Sequence, residues 1–187
     1  WARRPFSVLL VALVVQVAPA IAEDFGLETI EGLPEGLSEA VQAVLSPQGH
    51  RVTKAGAPMA DYWFRTELPL EGQSEGVFGI EMGAVTASAL VGVVRFHDTW
   101  IDYRETDLAR GVYSLRYWIQ PADGDHMGVS EYRDFLLVLS APEDQDPAQL
   151  FEEDPLLELS QRASERVHPA VVGVFPIYDD VEAPASL

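Results

Sequence analysis

Between His50 and Ser140 six short runs rich in β-branched and aromatic residues follow one another: HRVTKAG, ADYWFRTELPL, EGVFGIEMG, SALVGVVRFHDTWIDY, GVYSLRYWIQ and RDFLLVLS. Clusters of Gly, Pro, Asp or Ser separate them, and these are the residues that turns require. Strands that succeed one another without helices between them build antiparallel sandwiches or barrels rather than βαβ units. The expected class is therefore mainly β, an antiparallel β-sandwich.

The patterns within the runs sharpen this. In Gly111–Gln120, Tyr113, Leu115, Tyr117 and Ile119 alternate with Ser114, Arg116, Trp118 and Gln120, so one face should be core and the other semi-polar. LVGVV, Leu90–Val94, is apolar on both faces and predicts a central strand, with Gly92 marking a bulge or a close backbone approach. Helical spacing occurs in Leu37–Leu45, with Ser38 as N-cap and Pro47 beyond the end. The Asp146-Pro147 and Asp154-Pro155 pairs each read as an N-cap followed by proline at the first helical position. They predict short helices at Ala148–Glu153 and Leu156–Glu165, which gives two or three peripheral helices in all. HPAVVGVFPIY then returns to an edge strand bounded by Pro169 and Pro176.

The chain opens with Arg3 and Arg4, an apolar run from Phe6 to Val17, and the small-residue pattern Ala20-Ile21-Ala22. This is the form of a cleaved secretory signal peptide, and the apolar run is shorter than the ~20 residues of a spanning helix. The expected organisation is a signal peptide over 1–22, a single domain over 23–178 and a disordered tail over 179–187. The chain has no cysteine, so the domain must be held by its core alone. That suits a secreted or periplasmic bacterial protein better than a small eukaryotic module stapled by disulfides. The net charge of −18 repels phosphate backbones and anionic lipid. Nucleic acid and, after signal cleavage, membrane are thus disfavoured as partners, and a protein or carbohydrate partner is left open.

Familiar catalytic signatures are missing: the sequence contains no G-x-S-x-G, H-E-x-x-H, phosphate loop or G-x-G-x-x-G. Chemistry, if present, would be assembled from scattered residues. The stretch QPADGDHMGVSEYRDF places an unusually long connection, 121–132, between two expected neighbouring strands. Asp123, Asp125 and His126 offer oxygen and imidazole ligands there, and His97 and His168 could complete a divalent-metal site. The alternative is turn chemistry, since Asp-Gly is a turn pair and the spacing does not match a calcium loop. Arg133 and Asp134 are adjacent in a strand and so face opposite ways. Arg116 would meet Asp134 and Arg133 would reach Asp123, Asp125 or Glu131, to fix the loop or to hold a ligand. Trp63, Trp100 and Trp118 could form an aromatic surface for sugars or a partner, unless the helices cover it.

The strings GVYSLRYWIQPADGDHMGVSEYRDFLLVLS and LSQRASERVHPAVV resemble a pattern of uncharacterised exported bacterial proteins, G-x-Y-[ST]-L-R-Y followed by Q-P-x-D-G-[DN]-H-x-G-V-S-x-x-R-D-F. The matching positions run from Gly111, Tyr113, Leu115, Arg116 and Tyr117 through Gln120, Pro121, Asp123, Gly124, Asp125, His126, Gly128, Ser130, Arg133, Asp134 and Phe135 to Ser160, His168 and Pro169. The resemblance implies one cohesive domain and brings no activity with it. The G-x-Y-x-L element is similar to strand starts in immunoglobulin-like and transthyretin-like sandwiches, an analogy of fold alone. The expected function is a non-catalytic binding or structural role, with a metal-binding or metal-dependent protein centred on 121–132, and a carbohydrate-binding module, as alternatives.

Overall fold

The computed structural model describes residues 24–72, 80–102, 105–121 and 130–176. The expected signal peptide, the tail and the loop residues Asp123, Asp125 and His126 lie outside the described residues.

The fold is mainly β and antiparallel. The strands are β1 (Phe25–Glu31), β2 (Gln48–Lys54), β3 (Ala57–Phe64), β4 (Leu90–Phe96), β5 (Trp100–Ile101), β6 (Asp107–Leu108), β7 (Gly111–Ile119), β8 (Asp134–Ser140) and β9 (Val171–Gly173). Seven of them form one sheet in the order β1-β2-β3-β4-β7-β8-β9, and β5 pairs with β6 in a separate two-stranded sheet. Among the described residues two α-helices accompany them, α1 (Glu39–Val44) and α2 (Glu153–Ser164).

The alternation along the strands sorts the core onto two faces. Ala60, Val94, Phe96, Tyr113, Leu115, Tyr117, Leu136 and Val138 line one, beneath Trp100 and Leu108 of the β5–β6 hairpin and Met82 and Val85 of the preceding connection. The other face is covered twice: α1 packs Leu37, Val41 and Leu45 over Trp63, Leu90 and Val93, while α2 packs Leu156 and Leu159 over Leu137, Leu139 and Val171. The expected semi-polar face of β7 is therefore also interior, with Ser114 and Arg116 fully buried.

As its double-sided apolar pattern predicts, β4 is central, between β3 and β7. Gly92 is both things that were expected of it. The register shifts between Leu90 and Gly92, and a Cβ on Gly92 would collide with the Trp63 carbonyl oxygen.

Four expectations are corrected. First, β1 forms ahead of the six runs read as strands; as an edge strand with most side chains exposed it has no alternation to betray it. Second, Glu81 to Gly83, the described end of the EGVFGIEMG run, bends and turns instead of extending as a strand. Third, no helix forms at Ala148–Glu153. Asp146 does cap a turn, accepting from the Ala148 N–H at 2.9 Å, but side chains take the backbone groups that would continue it. Arg116 binds the carbonyls of Asp146 and Gln149, and Ser88 Oγ takes the Phe151 N–H. Fourth, α2 begins at Glu153, so that Asp154 and Pro155 sit in its first turn rather than before it.

Candidate functional site

The polar residues of the sheet fall into three clusters. Two are closed, and one is open to solvent.

The first closed cluster centres on Arg116, 0% exposed on β7. Register places it opposite Leu137 of β8, and it reaches past that strand to Asp144, which follows the short 3-10 turn Ala141–Glu143. The pair is bidentate, Nε to Oδ2 at 2.7 Å and Nη2 to Oδ1 at 2.6 Å. Nη2 also donates to the Asp146 carbonyl at 2.9 Å, and Nη1 donates to the carbonyls of Ser88 and Gln149 at 2.8 and 2.6 Å. All five donors of the guanidinium are thus satisfied within the protein. Ser114 Oγ donates to Asp144 Oδ2 at 2.6 Å, and the Phe151 ring lies under the guanidinium, 4.8 Å from its carbon to the ring centre.

The second closed cluster belongs to Asp134, on the opposite face. Its Oδ1 accepts from the Tyr117 hydroxyl at 2.6 Å and the Met82 N–H at 3.2 Å, and its Oδ2 from the Glu81 N–H at 2.5 Å. Burial, and next the bonded Asp134 carboxylate, push the Tyr117 hydroxyl well above the ordinary tyrosine range. The expected meeting of Arg116 with Asp134 does not occur, because the alternation of β7 and β8 sends them to different faces. Arg133 closes the base of the β7–β8 connection, with Nε and Nη2 on the Gln120 carbonyl at 3.0 and 2.7 Å. Of its expected acidic partners, Asp123 and Asp125 lie outside the described residues.

The open cluster is a charge ladder across four strands. Glu28 of β1 stands opposite Arg51 of β2, Arg51 opposite Asp61 of β3, and Asp61 opposite Arg95 of β4. His97 follows just beyond β4. Asp61 is fully buried, and everything converges on it. Arg51 binds both oxygens, Nε to Oδ1 at 2.7 Å and Nη2 to Oδ2 at 3.0 Å. Arg95 gives Nε and Nη2 to Oδ2, and His97 Nε2 lies 2.8 Å from the same oxygen. Burial alone would raise the Asp61 carboxyl; the hydrogen bonds from Arg51, Arg95 and His97 outweigh it and hold the group far below the ordinary carboxylate range. The side chains of Arg51, Arg95 and His97 remain 25%, 36% and 24% exposed.

Of the histidines expected near a metal, His97 is thus bound to Asp61, and His168 sits between α2 and β9 with Nδ1 2.8 Å from the Pro169 carbonyl. Strands β7 and β8 lie between β4 and β9. Among the described residues no group of three His, Asp or Glu side chains is arranged to hold a metal ion. The three tryptophans do not share a surface. Trp63 is 1% exposed beneath α1, with Nε1 donating to the Gly32 carbonyl at 2.8 Å. Trp118 packs half-buried against the α2 cluster, and Trp100 stacks on Phe96 at the other face, rings 4.9 Å apart. The helices cover the face of Trp63 and Trp118, which is the alternative that the sequence left open to an aromatic surface.

Asp61, Arg51, Arg95 and Asp144 were not singled out from the sequence. The Ala55-Gly56 turn, with φ of 50° and 77°, marks the β2–β3 hairpin, but counting outward from it pairs Arg51 with Ala60. Only the bulge between Val52 and Thr53 brings Arg51 opposite Asp61. No helix among the described residues is long and apolar enough to cross a membrane. Compared with protein-family models, curated proteins and solved structures, the chain matches none.

Proposed function

We propose that the chain is an exported, non-catalytic binding domain. The observation that carries this reading is the contrast between the clusters. The arginine and aspartates that invite a catalytic interpretation, Arg116, Asp134 and Asp144, spend their donors and acceptors on holding loops to the sheet. The cations that keep solvent-facing donors, Arg51 and Arg95, lie on the sheet surface, where recognition needs no reaction. The signal-like N-terminus and the resemblance to exported bacterial proteins support a periplasmic or secreted setting. The finer architecture belongs to the same proposal: an immunoglobulin-like sandwich in which the β5–β6 hairpin, through Trp100 and Leu108, forms the core of the second layer.

Expression of the chain in a bacterial host tests it. The intact mass of the exported protein should correspond to a start at Glu23. The purified protein should turn over none of a panel of ester, peptide, glycoside and phosphoester substrates. Retention of residues 1–22 on a cytoplasmic product, or turnover abolished by Asp134→Asn in a folded variant, contradicts the proposal.

A further inference from the structure

The ladder is short of acceptors. Two guanidiniums and an imidazole are served by one carboxylate, which offers about four lone-pair sites. Five N–H contacts already crowd onto those sites, and four of them fall on the single atom Oδ2. Nη1 of Arg51 and Nη1 of Arg95 have no hydrogen-bond partner among the described residues, and two guanidinium charges face one buried carboxylate charge. Glu28 attracts Arg51 through space but lies exposed on the edge strand and makes no hydrogen bond to it. Counting Glu28, the charges of the ladder balance, and what is in excess is hydrogen-bond donors.

The donors are also held in place. Arg51 is fixed by its bidentate bond, and Arg95 by two bonds to Asp61 and by the Trp63 ring beneath it, 5.4 Å from the guanidinium carbon to the ring centre. Because both arginines and His97 touch the same oxygen, their donor atoms lie within two hydrogen-bond lengths of one another. Each guanidinium is planar and held in place, and such an edge suits oxyanions, which arginine binds through parallel N–H bonds. The surrounding negative charge does not forbid a local anion, since exposed charges beyond about 8 Å are largely screened at physiological ionic strength.

We propose that the outer edges of Arg51 and Arg95, with His97 at their side, form a binding site for a small oxyanion, a carboxylate or a phosphate. This rests on reading the chain as a binding domain and names the chemistry of its ligand. Asp61 is the positioning residue, and Glu28 is an internal competitor for Arg51.

Inorganic phosphate and acetate, titrated separately into the full chain at constant ionic strength, test the site by proton NMR of the histidine rings. His50 and His168 serve as internal controls. At least one anion should shift the His97 signals saturably, with a dissociation constant of order millimolar, while His50 and His168 stay in place. Glu28→Gln, a change on an exposed edge position, should tighten binding about two- to threefold by removing the competing charge. Arg95→Gln should weaken it at least tenfold, with its folding verified by the unchanged spectrum of the β7–β8 core. Shifts that fail to saturate for both anions, equal shifts at His97, His50 and His168, or an unchanged affinity in Glu28→Gln overturn the site. Absence of anion binding with absence of turnover would leave the non-catalytic reading standing, so the two failures are distinguishable.

Discussion

Asp61 concentrates the electrostatics of the sheet in one side chain. Its carboxyl is held far below the ordinary range in the folded protein and titrates near 4 when unfolded. A group depressed in this way stabilises fully above about pH 4 and loses that contribution as pH falls toward the folded value. Asp61→Asn should therefore cost about 2–3 kcal/mol at pH 7, the worth of hydrogen bonds to a charged group. Urea midpoints of the two proteins should converge as the pH is lowered toward 3, and a gap that is the same at pH 7 and pH 3 would refute this assignment. This residue also shows where reading a sequence stops. The partners of Asp61 come from positions 51, 95 and 97, and the bulge at Val52/Thr53 that aligns the first of them leaves no mark in the residue pattern. Gly92 was legible because a glycine inside a doubly apolar strand gives up packing and backbone order, a loss that a bulge or a close backbone approach accounts for.

Among the elements, what could be read depended on whether local signals had competitors. α1 formed where its N-cap and spacing placed it: Ser38 Oγ accepts from the Val41 N–H at 3.1 Å and donates to the Gln145 carbonyl at 2.6 Å. Ser38→Ala removes both bonds and should cost about 1 kcal/mol or slightly more. In a thermal melt that is a fall of about 2–4 °C, and an unchanged midpoint would show that the cap contributes nothing. The capping signal at Asp146-Pro147 was equally good, yet the helix failed because Arg116 and Ser88 compete for its backbone groups, a long-range effect that no window of sequence contains. β1 was missed for the converse reason. An edge strand with Phe25 and Leu27 more than half exposed buries too little to need alternation.

Across the molecule as a whole, the mainly β, antiparallel class and the adjacency of β7 and β8 followed from patterning, which burial enforces. The distribution of polar groups between the faces did not, because it depends on what covers each face. Under its cover lies Arg116, which joins β7 to the 144–149 segment and to Ser88, whose φ of 61° is held by bonds from its neighbours. On the proposed reading these buried charges serve the fold, and recognition falls to the open ladder. Thermal melting of Arg116→Met tests that division of roles. The substitution keeps the aliphatic volume and strands the Asp144 carboxylate in the interior, a loss of about 3–5 kcal/mol for a broken buried pair. In a protein of this size that lowers the melting midpoint by about 6–20 °C. A variant that melts within about 2 °C of the parent would contradict it, since this polar centre would then have to be kept for something other than the fold.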